Sequence, residues 1–150
     1  MSVERRGEFA FDYLLHEGTA PTKVQFHFLE ELNLPVAIQT WELPVGGSEG
    51  MHRHDGEQAL EEFYLVVEGS ARMHLGDEIL ELEAGDTALA PAGVDHDLIN
   101  AGEGPLRILT VWGTPGAADF SSFGSARASK EARALAADRT KGPSGTPPSR

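Results

Sequence analysis

Three histidines and one glutamate have the residue types and spacing of a metal centre. His52 and His54 are two residues apart in GMHRHDG, Glu62 begins EFYLVVEG, and His96 lies in APAGVDHDLIN. Residues two apart in a strand point to the same face, about 6.6 Å apart along the chain, so both imidazoles can converge on one ion. Because the chain has no cysteine, any metal must be held by histidine and carboxylate. We expect one divalent ion, and this ligand set suits Fe, Zn, Mn, Ni or Co without choosing among them.

The segments around these residues predict an all-β domain. Short runs rich in Val, Ile, Leu, Phe and Tyr alternate with turns that contain Gly, Pro, Asn and Asp. The predicted strands are KVQFHFLE, PVAIQTWEL, GMHRH, EEFYLVVE, SARMHL, EILELE, DTALAPA, HDLINA and LRILTVWG. Strands of this length and spacing favour a barrel or a sandwich that closes on itself.

Composition divides the chain into three predicted parts. The 150 residues suffice for one domain, which we place at 25–114, after an N-terminal arm at 1–24. Residues 115–150 are rich in Ala, Ser, Gly and Pro and predict a flexible tail. Within it, SKEARALAAD predicts a short helix with Ser129 as its N-cap, and the last ten residues are predicted to be disordered.

Two motifs in the chain resemble those of the cupin superfamily. The first, G-x5-H-x-H-x3,4-E-x6-G, is matched by Gly46, His52, His54, Glu62 and Gly69. The second, G-x5-P-x-G-x2-H-x3-N, is matched by Gly85, Pro91, Gly93, His96 and Asn100. The resemblance implies a cupin-type double-stranded β-helix, or jelly-roll, barrel with a flexible C-terminal tail. It also implies that His52, His54, Glu62 and His96 are the metal ligands.

The loop between the second histidine and the glutamate departs from the family pattern. Seven residues, DGEQALE, separate His54 from Glu62, where the pattern has three or four. The longer loop leaves four other side chains as substitute or additional ligands, namely Asp55, Glu57, Gln58 and Glu61. Glu62 is preferred because its register agrees with the glycine that ends the motif.

Several other polar side chains have predicted positions. Strand alternation puts Tyr64 on the same inward face as Glu62, which makes it the candidate catalytic residue, as a proton donor or a hydrogen-bond partner of the substrate. The alternative is a tyrosine packed in the core. Arg53 lies between two ligands and is expected to point away from them. His27 and His74 alternate with apolar residues and are assigned to the outer face, and His16 has no spacing typical of a ligand.

Charge and resemblance together give the expected function. The formal net charge of −12 argues against nucleic acid or an anionic membrane as a partner. No apolar stretch is long enough to span a bilayer and no signal peptide is recognised, so a cytoplasmic location is expected. The resemblance implies a metal-dependent enzyme for a small molecule, either an oxygenase or a redox-neutral lyase, isomerase or cyclase, with a role in specialised-metabolite biosynthesis as one possibility.

Two readings without catalysis remain open at this point. One is a ligand-binding or regulatory cupin that does not turn its ligand over, and the other is an interaction module with a closed structural metal site. Cupin barrels commonly pair, so a homodimer is expected, with the apolar FAFDYLL of the N-terminal arm as one contact.

Overall fold

The computed structural model of the chain describes residues 3–140. The chain divides into two compact units, Met1–Pro115 and Gly116–Arg150. The strands of the first unit are β1 (Phe11–Tyr13), β2 (Thr22–Phe26), β3 (Ala37–Leu43), β4 (Ser48–His52), β5 (Glu61–Glu68), β6 (Ser70–Leu75), β7 (Glu78–Glu83), β8 (Thr87–Ala90), β9 (His96–Asn100) and β10 (Leu106–Gly113). Each of the nine predicted segments contains one of them, so the all-β class is confirmed.

The strands form two antiparallel sheets that share one core. The larger sheet has the order β1-β2-β3-β10-β5-β8, and the smaller has the order β4-β9-β6-β7. Trp41, Tyr64 and Ile108 of the larger sheet and Met73 and Leu98 of the smaller sheet are buried in a single hydrophobic cluster. Strand alternation therefore directs one side of each sheet into a common interior.

The N-terminal segment contributes two strands to the larger sheet. β1 pairs with β2, and β2 pairs with β3, both antiparallel. The domain boundary predicted at residue 25 falls inside β2, so the sheet begins before it. The sequence missed β1 because its three residues are all exposed and are too few to show a period of two.

The segment between β1 and β2 lies directly against β4. Leu15–Glu17 forms one 3₁₀ turn, and a Cβ added to Gly50 would overlap the carbonyl oxygen of His16. A Cβ on Gly18 would likewise overlap the carbonyl oxygen of Ser48. His16 itself has a φ of 45°, which non-glycine residues adopt only when their surroundings hold them there. The two glycines thus let the backbones touch and fix the position of His16 beside β4.

The second unit contains helix α1 (Gly124–Thr140), whose described side chains include no buried one. It includes the predicted helical segment but begins five residues earlier, so Ser129 lies inside it and is not its N-cap. Ser125 to Ala128, which include two alanines and an arginine, extend the helix because alanine and arginine have high helix propensity. The last ten residues, predicted to be disordered, lie outside the described residues. No helix in the described range is both long enough and apolar enough to span a bilayer.

Candidate metal centre

The predicted ligands come from both sheets and meet in the interior between them. His52 ends β4 and His96 begins β9, and the two residues are direct partners in the antiparallel register. Glu62 lies on β5 of the other sheet and is 4% exposed. The chain returns each of these side chains to the interior because all three lie on inward-facing strand positions.

His54 is held by a loop and not by a strand. The prediction that both histidines of the His-x-His pair lie in one strand is wrong, because β4 ends at His52. The carbonyl oxygen of His54 accepts a hydrogen bond of 2.8 Å from the Gly93 N–H. Gly93 has a φ of 80°, which glycine adopts without cost. The turn before β9 therefore anchors the loop that carries His54.

The four predicted ligands form one group around a single carboxylate oxygen. Glu62 Oε2 lies 2.7 Å from His96 Nε2, 3.4 Å from His54 Nε2 and 3.5 Å from His52 Nε2. One donor atom from each of the four residues lies within 4.8 Å of all the others. A cluster of this size and composition could hold a metal ion.

The hydrogen bonds of two histidines also suit a metal. His52 Nδ1 lies 2.8 Å from the carbonyl oxygen of Gly50, and His96 Nδ1 lies 2.8 Å from that of Val94. Each Nδ1–H donates to a carbonyl, an arrangement that fixes the ring of a metal-binding histidine and turns Nε2 towards the ion. His52 Nε2 is buried and has no hydrogen-bond partner. A metal ion would satisfy this nitrogen.

The charges of the cluster are coupled through Glu62. Burial would raise the pKa of Glu62, but hydrogen bonds from His52 and His96 hold it well below its usual range. Burial would lower the pKa of His96, but its hydrogen bond to Glu62 raises it instead. Burial lowers the pKa of His54. Without metal, the centre therefore favours an ionised Glu62 that shares a proton with His96, and a divalent ion would replace that proton.

Glu49 is a buried carboxyl at the centre that the sequence did not reveal. It is 1% exposed, and its Oε1 lies 3.5 Å from His52 Nε2 without a hydrogen-bond partner. Burial, and then the charge of Glu62, raise the pKa of Glu49 well above its usual value. The pairing of β4 with β9 is irregular between Glu49 and His52, so simple alternation from His52 places Glu49 on the wrong face.

Tyr64 lies behind the cluster and joins its two carboxyl groups. The tyrosine is fully buried, and its hydroxyl lies 3.0 Å from Glu62 Oε2 and 3.2 Å from Glu49 Oε2. A hydroxyl has one hydrogen to donate, so both contacts are satisfied when Tyr64 donates to Glu62 and a protonated Glu49 donates to Tyr64. These contacts make Tyr64 a residue that positions Glu62, and its catalytic role stays a prediction.

His16 reaches the centre from the N-terminal segment. Its ring stacks on that of His52, with 3.5 Å between centroids and 8° between planes, and its Nε2 lies 3.7 Å from Glu49 Oε1. Burial, and then the neighbouring histidines, lower the pKa of His16 to about 4. His16, Glu49 and His52 form a second group of donor atoms within 4.8 Å. No local spacing could have found His16, because its contacts arise only from the packing on β4.

The alternative ligands in the long loop stay outside the centre. All of them are exposed and none belongs to the donor group, which concerns Asp55, Glu57, Gln58 and Glu61. Arg53 points away from the ligands, as expected, and lies 3.3 Å from Asp95. His27 contacts Thr40 and His74 contacts Asp97, so both lie away from the cluster.

A cavity of about 360 Å³ adjoins the centre. Four titratable side chains of the centre lie in its wall, namely His16, Glu49, His54 and Glu62. The rest of the wall is formed by Phe11, Tyr13, Leu15, Val24, Phe26, Gln39, Trp41, Leu60 and Trp112. The sequence left open which side of β3 faces inward, and the structure assigns the buried face to Gln39 and Trp41. A volume of this size suits a small organic molecule.

Comparison with known proteins identifies the family. The profile of the cupin domain matches residues 39–112. The uncharacterized protein SCO3923 of Streptomyces coelicolor is 32% identical over 107 residues, which are 71% of this chain and 95% of that protein. The chain belongs to the cupin family. This cupin also has shorter matches: an oxalate-binding protein of Thermotoga maritima is 33% identical over 69 residues, 46% of this chain.

The cupin barrel is confirmed by a solved structure. A predicted oxalate decarboxylase of Thermotoga maritima superposes with a TM-score of 0.69 at 22% identity, covering 77% of this chain and all of that one. The likeness supports the double-stranded β-helix fold and does not extend to activity. The chain spans about half the length of two curated relatives, 54% of the oxalate-binding protein and 51% of the uncharacterized protein MJ1618 of Methanocaldococcus jannaschii.

Proposed function

We propose that this cupin is a metal-dependent enzyme that acts on a small organic molecule bound through oxygen atoms. The observation that carries the proposal is the opening of the donor cluster onto the cavity, since His54 and Glu62 belong to both. A closed structural site would have its ligands packed on all sides, whereas a catalytic site keeps a coordination position free. A bound divalent ion would supply Lewis acidity, or oxygen activation if it is iron.

The side chains of the centre have distinct proposed roles. His52, His54, Glu62 and His96 hold the ion, and their backbone hydrogen bonds fix the directions of two of the imidazoles. The carboxyl of Glu49, which lies in the cavity wall with Oε1 unpartnered, is the group placed to exchange a proton with a bound substrate.

The test begins with metal and ends with product. The purified chain is analysed for metal without added ions or chelator, then stripped and reloaded with Fe(II), Mn(II), Zn(II), Ni(II) or Co(II). Each form is incubated with a panel of small oxygen-containing metabolites, and product formation and oxygen uptake are followed. Metal-dependent product that is absent from His96→Ala supports the enzyme. Oxygen consumption would assign an oxygenase, and product without it a lyase, isomerase or cyclase.

A second candidate function is ligand binding without turnover. It is favoured by the oxalate-binding protein among the relatives, whose name describes binding alone. The same panel separates the two functions, because a binding protein would bind a compound by calorimetry and return it unchanged after long incubation. Failure of the stripped chain to take up any of the five ions would contradict the metal-dependent proposal.

A homodimer belongs to the same proposal. β1 forms one edge of the larger sheet, and its Phe11 and Tyr13 are exposed. An exposed edge strand with aromatic side chains is a template for pairing with a second copy. Light scattering coupled to size-exclusion chromatography should give twice the monomer mass of 16.1 kDa, and a monomer at all concentrations would contradict it.

A further inference from the structure

The cavity beside the centre has two chemically different sides. One side presents the imidazoles and carboxyls of the centre, and the other is a wall of eight apolar or aromatic side chains. Five of these are aromatic: Phe11, Tyr13, Phe26, Trp41 and Trp112. Phe26 and Trp112 meet edge to face with 5.9 Å between ring centroids. Such a wall suits a flat ring, which aromatic side chains contact through offset or edge-to-face packing.

Most of the apolar wall lies outside the segment that defines the family. The cupin profile begins at residue 39, whereas five of the apolar wall residues come from the N-terminal segment: Phe11, Tyr13, Leu15, Val24 and Phe26. The centre is thus built from the family motifs, and the wall that faces it is built from this chain's own N-terminal strands. The specificity of the site therefore depends on β1 and β2.

The charge of the cavity disfavours a small dianion. The thirteen lining residues among those described include no lysine or arginine and include two carboxyl groups, Glu49 and Glu62. A divalent ion with an ionised Glu62 carries one net positive charge, which a singly charged chelating group neutralises. A dicarboxylate would leave an uncompensated negative charge in an apolar surrounding, and such burial is costly.

We propose that the substrate of this site is an aromatic molecule with one singly charged oxygen chelate, and that the wall of β1 and β2 selects its ring. The proposal rests on the proposed metal function and adds the class of substrate to it. Oxalate, which is bound by one relative, is excluded from the class because it has neither a ring nor a single charge.

Two hydroxamic acids separate the contribution of the ring from that of the chelate. Benzohydroxamic acid and acetohydroxamic acid present the same oxygen pair, and they differ only in a phenyl or a methyl group. The zinc-loaded chain is titrated with each compound and with oxalate by calorimetry and by tryptophan fluorescence. Trp41 and Trp112 are the only tryptophans of the chain, and both line the cavity, so their emission reports its occupation directly. Zinc content after dialysis shows that the chelator has not removed the metal.

The expected result is a preference of at least about tenfold for benzohydroxamic over acetohydroxamic acid, because the ring buries several more carbon atoms. Oxalate should bind no more tightly than acetohydroxamic acid. Tyr13→Ala, at a side chain that is 57% exposed, and Phe26→Leu should each reduce the preference. Leu89→Ala, which removes an exposed apolar side chain outside the cavity, should leave it unchanged.

The outcomes distinguish this proposal from the one on which it rests. Zinc binding with equal affinity for the two hydroxamic acids, or with oxalate as the tightest ligand, would overturn the substrate class and leave the metal function standing. Failure to bind zinc or any of the other four ions would overturn the metal function and this proposal together. A preference that survives in both cavity variants would overturn the role of the β1 and β2 wall.

Discussion

The hydroxyl oxygen of Tyr64 lies 3.0 Å from Glu62 Oε2, the same oxygen that lies 2.7 Å from His96 Nε2. A single carboxylate oxygen thus connects the buried tyrosine behind the centre with the histidine in front of it. Because that oxygen already accepts hydrogen bonds, the orientation of the Glu62 side chain is fixed before a metal arrives.

Removal of the Tyr64 hydroxyl tests this relationship. Tyr64→Phe should lower the free energy of unfolding of the chelator-treated chain by about 1–2 kcal/mol, because it leaves buried carboxyl oxygens without a donor. Urea denaturation measures the change. Tyr13→Phe, which removes the hydroxyl of an exposed tyrosine, is the matched control and should be neutral. Equal stability of Tyr64→Phe and the wild type would show that the hydroxyl does not hold Glu62.

Metal binding should depend on His96 and not on a histidine of the neighbouring strand. His96→Ala removes a ligand that is 1% exposed and should weaken zinc affinity by at least about a hundredfold. His74→Ala removes an imidazole on β6 that contacts Asp97 and should retain wild-type affinity. Calorimetry on stripped protein gives both values, and circular dichroism checks that each variant is folded. Retention of full affinity by His96→Ala would remove this residue from the ligand set.

Metal should also stabilise the folded chain. An ion that binds only the native state raises the free energy of unfolding by about 2.7 kcal/mol when its free concentration is a hundred times its Kd. The Tm of the zinc-loaded chain should therefore exceed that of the chelator-treated chain, and the difference should vanish in His96→Ala. A Tm that chelator leaves unchanged in the wild type would contradict a metal held by the native fold.

The buried carboxyl of Glu49 should make the metal-free chain less stable as the pH rises. Because its pKa is higher in the folded than in the unfolded state, folding favours the protonated form, and stability falls as the pH rises above about 4.3, the unfolded pKa. Glu49→Gln removes this titration. The variant should gain Tm relative to the wild type between pH 5 and pH 8 in chelator. A Tm difference that is constant over this range would show that Glu49 does not resist ionisation.

His16 should support the centre through its stack on His52. His16→Asn keeps a residue that tolerates positive φ and removes the ring that packs on His52. We expect zinc affinity to fall about tenfold, a loss typical of an outer partner and smaller than that of a ligand. His27→Asn, which removes a histidine in contact with Thr40, is the control. A loss as large as that of His96→Ala would instead indicate that His16 binds the ion directly.

The sequence by itself determined the strands and the residues of the motifs. Five strands, β4, β5, β6, β9 and β10, carry inward residues at every second position or begin at a motif residue, and these signals are local. The convergence of His52, Glu62 and His96 follows from the same alternation, because β4 pairs with β9 and β5 lies in the facing sheet. The fold and the four-residue donor cluster could therefore be predicted without coordinates.

Only the tertiary structure decided what surrounds that cluster. Glu49 is turned inward by an irregular strand pairing, and His16 is held there by glycine contacts between segments more than thirty residues apart. β1 closes the aromatic side of the cavity although its three residues show no strand pattern. Each of these features depends on contacts between distant segments, whose register and approach are set by packing and leave no local period in the sequence.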